Sequence, residues 1–219
     1  MSSHQSPTAT VDFLRCCSRA RALVARGCLC FAMCLPCAGL ARAEESPPPT
    51  VASVNLERYA GSWYEIARLP NRFQKQCASD TQAEYRLDKN MVRVTNRCRT
   101  AQGAVDEVKG RAKVVPGSGN AKLRVTFFWP FYGDYWILAL NDDYSDVLVG
   151  SPDRKFAWIL ARHPKLPQAR LDALLQRAQS LGFDPAAFVS TPQVDPIPSS
   201  AADDAGVPAP ASRNGRGEA

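Results

Sequence analysis

The residues with most scope for chemistry in this 219-residue chain are eight cysteines and two histidines, which could serve as nucleophiles, metal ligands or disulfide partners. Six of the cysteines (Cys16, Cys17, Cys28, Cys30, Cys34 and Cys37) crowd into the first 43 residues. That segment also holds five arginines, an apolar run from Gly27 to Leu40, and the small-x-small site Ala41-Arg42-Ala43. Basic, apolar, small-residue site is the order of a secretory leader, cleaved here after Ala43. The apolar run falls short of the about 20 residues that a membrane-spanning helix needs. A lipid anchor on Cys28 is disfavoured because Arg26 interrupts the residues before it. The six cysteines therefore leave with the leader, and no metal site is read from their spacing. Cys77 and Cys98 remain, bound for an oxidising compartment, and two such thiols are expected to pair.

Catalytic constellations are missing from the rest. His163 stands between Arg162 and Pro164 at a strand end, where a solvated turn residue is expected rather than a general base. One histidine and two paired cysteines do not close a zinc site. Asp142-Asp143 and Asp203-Asp204 are adjacent acids in a loop and a tail, and Gly117-Ser118-Gly119 is a hairpin turn rather than a nucleophile elbow. Neither a metal nor a cofactor is called for, and the expectation is a protein that is not an enzyme. Cleavage removes five arginines and one aspartate, so the formal charge of +6 drops by four and gives no reason to expect nucleic acid.

The elements that must position the remaining residues follow from patterning. Residues 1–43 are the signal peptide, 44–53 a Pro-rich spacer, 54–190 one domain, and 191–219 a tail too poor in large apolar side chains to fold, expected to be disordered. Within the domain, alternating runs at 61–69, 80–87, 91–98, 104–115, 121–129, 134–140, 146–150 and 155–162 predict eight strands. Hairpin-sized links rich in Gly, Pro, Asn and Asp join most of them. From Leu166 to Leu181 the apolar period lengthens to three and four residues, predicting an amphipathic helix opened by Pro167 and closed by Gly182. The fold class is all-β: an eight-stranded up-and-down antiparallel β-barrel with one C-terminal α-helix packed on its outside. A sandwich would need longer links that switch sheets, and only 69–80 offers one.

Three pieces in order resemble the lipocalin family: Gly61-x-Trp63 opening the first strand, Asn141-Asp142-Asp143-Tyr144 after the sixth, and Arg162 ending the eighth before the helix. Trp63-Tyr64-Glu65-Ile66-Ala67-Arg68, Phe131-Tyr132-Gly133 and Trp158-Ile159-Leu160-x-Arg162 are similar to the bacterial outer-membrane lipocalin and apolipoprotein D branch. The resemblance implies that Gly61, Trp63, Asp143, Tyr144 and Arg162 are structural. Gly61 would allow a sharp bend, Trp63 would plug the closed end, and Arg162 would lie across its indole. One family member isomerises prostaglandins with a thiol. That chemistry on Cys77 or Cys98, or a haem-based activity, is the alternative reading.

If Trp63 points inward, strand parity also turns Glu65 and Ala67 inward and assigns a lining of Tyr85, Val94, Val108, Val125, Phe127, Trp136, Leu138 and Trp158. Small and aromatic residues alternate in that set, so a hollow is expected to remain. The resemblance implies a small amphipathic lipid in it, a fatty acid or lysophospholipid, carried or stored in the bacterial cell envelope. Export places the protein in the periplasm. Association with the outer membrane and pairing of two copies are left open.

Overall fold

The computed structural model describes residues 46–89 and 91–198; the expected signal peptide and most of the expected tail lie outside the described residues. A single helical turn, α1 (Leu56–Tyr59), leads into β1 (Gly61–Arg68). Strands β2 (Cys77–Asp88), β3 (Met91–Thr100), β4 (Val105–Val114), β5 (Lys122–Phe128), β6 (Phe131–Leu140), β7 (Asp146–Gly150) and β8 (Ala157–Ala161) follow, each antiparallel to the one before. β1 pairs with both β2 and β8, which closes the barrel. Helix α2 (Gln168–Ser180) and a two-residue strand β9 (Val189–Ser190) complete the chain.

Two apolar layers hold this together. Trp63, Tyr85, Val94, Leu123, Ile137, Val149 and Leu160 pack inside the barrel. On the outer wall, Leu138, Leu148, Ile159 and Ala67 pack with Leu174 and Ala178 of α2 and with Leu181 at its C-cap. The helix stops where Gly182 takes φ +85°, letting Phe183 N–H reach back to Ala178 O at 3.1 Å and Gly182 N–H to Gln179 O at 2.9 Å. Phe183 then joins the outer layer.

Both ends of the domain extend past the expected boundaries. In the supposed spacer, Pro48 is fully buried and Val51 N–H donates to Ile137 O at 3.0 Å. Val54 belongs to the inner layer, its N–H bonded to Gly119 O at 2.8 Å. The tail was expected from residue 191, yet 191–198 lies along the barrel. β1 pairs with β2 only over Gly61–Tyr64, and beyond that β9 takes β2's place beside Ala67 and Arg68. Thr191 N–H donates to Ile66 O, Asp80 N–H to Pro192 O, and the Gln193 amide spans the gap to Glu65 O at 2.9 Å and Thr81 O at 3.0 Å. A bulge in β1 between Glu65 and Ala67, and two in β2 before Gln82, open this seam.

Candidate functional site

Up-and-down connection puts the β2–β3, β4–β5 and β6–β7 links at one end of the barrel, with the entry to β1 and the exit from β8. That end is closed. Trp63 is fully buried and donates its indole N–H to Tyr59 O at 2.8 Å. The guanidinium of Arg162 lies 4.0 Å from the indole ring centre. It donates to the carbonyls of Arg58 at 2.6 Å, Ser62 at 2.9 Å and Tyr144 at 3.3 Å, so one side chain ties α1, β1 and the β6–β7 link. Burial pulls the Arg162 guanidinium down to about 10, which leaves it cationic at neutral pH. Gly61 sits beside it at φ +92°, and a Cβ there would stand 3.3 Å from Arg162 Nη1. The glycine supplies both the positive φ and the room for the arginine.

The β6–β7 link braces the same end. The Tyr144 hydroxyl accepts Asn55 N–H at 2.9 Å while Arg58 stacks 4.1 Å over its ring. Asp143 accepts Ser145 N–H and the Asn141 amide, both at 2.8 Å, and its hydrogen bonds with Ser145 hold its carboxyl below the usual carboxylate range.

The opposite end is the mouth. Cys77 and Cys98 form a disulfide there, Cα atoms 5.5 Å apart, which fastens the start of β2 to the end of β3. Gln74, from the β1–β2 link, donates to Glu65 Oε2 at 2.6 Å and accepts the Trp158 indole N–H at 2.9 Å. Glu65 is buried, which pushes its carboxyl up despite partners in Thr191, Gln74 and Arg68. On the β5–β6 hairpin, Phe128, Trp129 and Phe131 are 74%, 74% and 77% exposed, an aromatic fringe that no element among the described residues covers.

Between the ends, Tyr85, Val94, Val125, Phe127 and Trp158 take inward places in the inner layer. Val108 faces the same way opposite Asn96 but is only half-buried and joins neither layer. Trp136 and Leu138 do not line the interior: both pack in the outer layer beneath α2, and Tyr135 and Ile137 take the inner positions. Ala67 is likewise displaced outward, by the bulge after Glu65. A small hollow remains inside. At the closed end it amounts to about 10 Å³ against Leu56, Tyr85, Leu87, Leu123 and Tyr135, room for about one water. Tyr59 and Tyr135, which the sequence did not mark, also line it. Their hydroxyls meet at 2.7 Å, and Tyr85 joins Tyr135 at 3.0 Å.

Cys77 and Cys98, both consumed in the disulfide, offer no thiolate nucleophile. His163 is exposed, and among the described residues no group of His, Cys, Asp and Glu is arranged to hold a metal.

A model of the lipocalin-like domain matches residues 54–193. The chain is 36% identical over 166 residues to temperature-induced lipocalin-1 of Arabidopsis thaliana, covering 72% of this chain and 89% of that protein. It is 35% identical over 159 residues to the outer membrane lipoprotein Blc of Vibrio cholerae, covering 71% and 90%. Apolipoprotein D of Macaca fascicularis is 36% identical over 146 residues, covering 63% and 76%.

Proposed function

This chain belongs to the lipocalin family, in the branch of Blc and apolipoprotein D, and from that premise we propose that it carries or stores an amphipathic lipid, a fatty acid or lysophospholipid, in the bacterial cell envelope. The observation that carries the reading is the barrel's polarity: one end stoppered by Trp63 and Arg162, the other carrying an exposed aromatic hairpin, with a mostly apolar inner face between. Burying a hydrocarbon chain there gains about 0.8 kcal/mol per CH₂, with no directed polar contact.

The hollow of about 10 Å³ at the closed end does not itself hold an acyl chain. A chain that reaches this end requires the side chains around it to turn aside. The reading also has the protein exported to the periplasm, where the leader-like first 43 residues would send it and where the disulfide is stable. Outer-membrane contact is assigned to the hairpin of Phe128, Trp129 and Phe131, which would set the mouth against the bilayer that supplies the lipid. Serine at all three positions should abolish flotation with phospholipid vesicles while leaving the fold intact.

The rival reading, a thiol-dependent isomerase, is opposed by the disulfide, which leaves neither cysteine free to attack. Organic extraction and native mass spectrometry of the purified mature protein decide the matter. Co-purifying acyl chains support the carrier. A protein that emerges empty and takes up no fatty acid or lysophospholipid on incubation overturns it.

A further inference from the structure

At the closed end of the mostly apolar inner layer three phenols meet. Tyr59 comes from α1, Tyr85 from β2 and Tyr135 from β6, and their hydroxyls form a chain through Tyr135, with contacts of 2.7 and 3.0 Å. Each hydroxyl carries one proton, and two contacts use two of them. Among the described residues no further acceptor meets these hydroxyls, so one O–H is left over whichever way the chain is directed. Run from Tyr85 through Tyr135 to Tyr59, the spare proton is on Tyr59; with both outer phenols donating inward, it is on Tyr135. The hollow of about 10 Å³ lies against these same rings: it is lined by the three tyrosines and seven aliphatic side chains, among them Leu56, Val92, Leu123 and Val125. A water-sized space thus lies against the rings that carry these hydroxyls, one of which has a proton to spare.

We propose that this is a binding site for one uncharged acceptor oxygen, and that the barrel takes a long apolar molecule whose buried end carries a carbonyl. The inference rests on the carrier reading above and adds which end of the ligand goes to the floor. An ionised head is excluded from that end by its surroundings. Burying a carboxylate without a charged partner is costly. The cation at this end, Arg162, spends its hydrogen bonds on the carbonyls of Arg58, Ser62 and Tyr144 and makes none to a phenol. Burial raises all three phenols, Tyr85 to about 12, so they remain protonated donors through the physiological range. A ligand that also has a charged head leaves it at the mouth, where water and the side chains of the β1–β2 link receive it.

The experiment compares a long-chain methyl ketone with the alkane of equal carbon number, in the full-length mature protein and in the variant Tyr59→Phe/Tyr85→Phe/Tyr135→Phe. Replacing all members of a hydrogen-bonded set by isosteric apolar groups is close to neutral for folding, and circular dichroism checks that it is so here. After correction for the two ligands' different partition from water, the wild type should bind the ketone about tenfold more tightly, the typical worth of one buried hydrogen bond, and the variant should lose that preference. The infrared carbonyl band of the bound ketone should lie at lower frequency in the wild type than in the variant. Equal corrected affinities, or a carbonyl band unaffected by the substitutions, overturns the site and leaves the carrier reading standing. Binding of neither ligand to either protein overturns both.

Discussion

The carboxylate of Asp80 accepts the backbone N–H of Val194 at 2.7 Å, joining β2 to a segment more than a hundred residues further along the chain. It also accepts Asp195 N–H at 3.0 Å and the Ser79 hydroxyl at 2.6 Å, with Arg99 3.5 Å away. Asp80 itself is 1% exposed. The C-terminal segment is thus part of the barrel wall.

Ending the chain after Ser190 should accordingly cost about 3 kcal/mol, because it strips two backbone donors from a buried carboxylate and opens the β1–β2 seam. Ending it after Pro198 keeps these contacts. Urea denaturation of the two truncations is the check, and equal stabilities would mean that the segment only rests on the barrel.

The outer-layer placement of Leu138 separates folding from binding. Leu138→Ala removes a buried side chain between barrel and α2 and should cost about 2 to 5 kcal/mol, with lipid affinity unchanged. Phe127→Ala, on the inner layer over Gly110, should weaken lipid binding by more than Leu138→Ala does. Fluorescence titration with a fatty acid probe, alongside melting curves, distinguishes the two.

These two residues also show where the sequence could be read and where it could not. The eight strands, the helix with its Pro167 start and Gly182 stop, the Trp63–Arg162 stopper and the Cys77–Cys98 pairing follow from period, turn chemistry and a short list of motif positions. Parity along β6 did not follow, because Tyr135-Trp136-Ile137-Leu138 is apolar on both faces: one fills the barrel and the other receives α2. Alternation identifies a buried face only when the opposite one is wet. Bulges are equally silent in sequence, and the one after Glu65 moved Ala67 from inside to outside. The segment 191–198 looked unfoldable because its Pro-rich composition buries little; backbone and Gln193 hydrogen bonds, which composition does not register, hold it instead.

Arg162→Gln should destabilise the closed end by about 2 to 4 kcal/mol, through lost hydrogen bonds to three carbonyls and the lost cation over the indole. Arg162→Lys keeps the charge but not the planar fork, so it should recover only part of that loss. Full recovery by lysine would show that charge alone matters.

Glu65 makes stability depend on pH with an uncommon sign. Its folded pKa is raised, so between the ordinary glutamate value of about 4.3 and the raised one the folded state holds more protons than the unfolded state. Its contribution is therefore fully present below that window and lost as pH rises through the folded pKa. Wild type measured against Glu65→Gln by denaturation at several pH values should lose relative stability as pH rises across the window. A difference that does not vary with pH would contradict the buried, raised carboxyl.

The most direct test of the account follows a bound acyl chain itself. With carbon-labelled palmitate added to the mature protein, nuclear Overhauser contacts from the chain should reach the methyls of Val94, Leu123 and Val125 inside the barrel and miss Leu138 and Leu148 beneath α2. Contacts confined to the outer layer, or to the aromatic hairpin with none inside, would contradict a lipid held in the barrel.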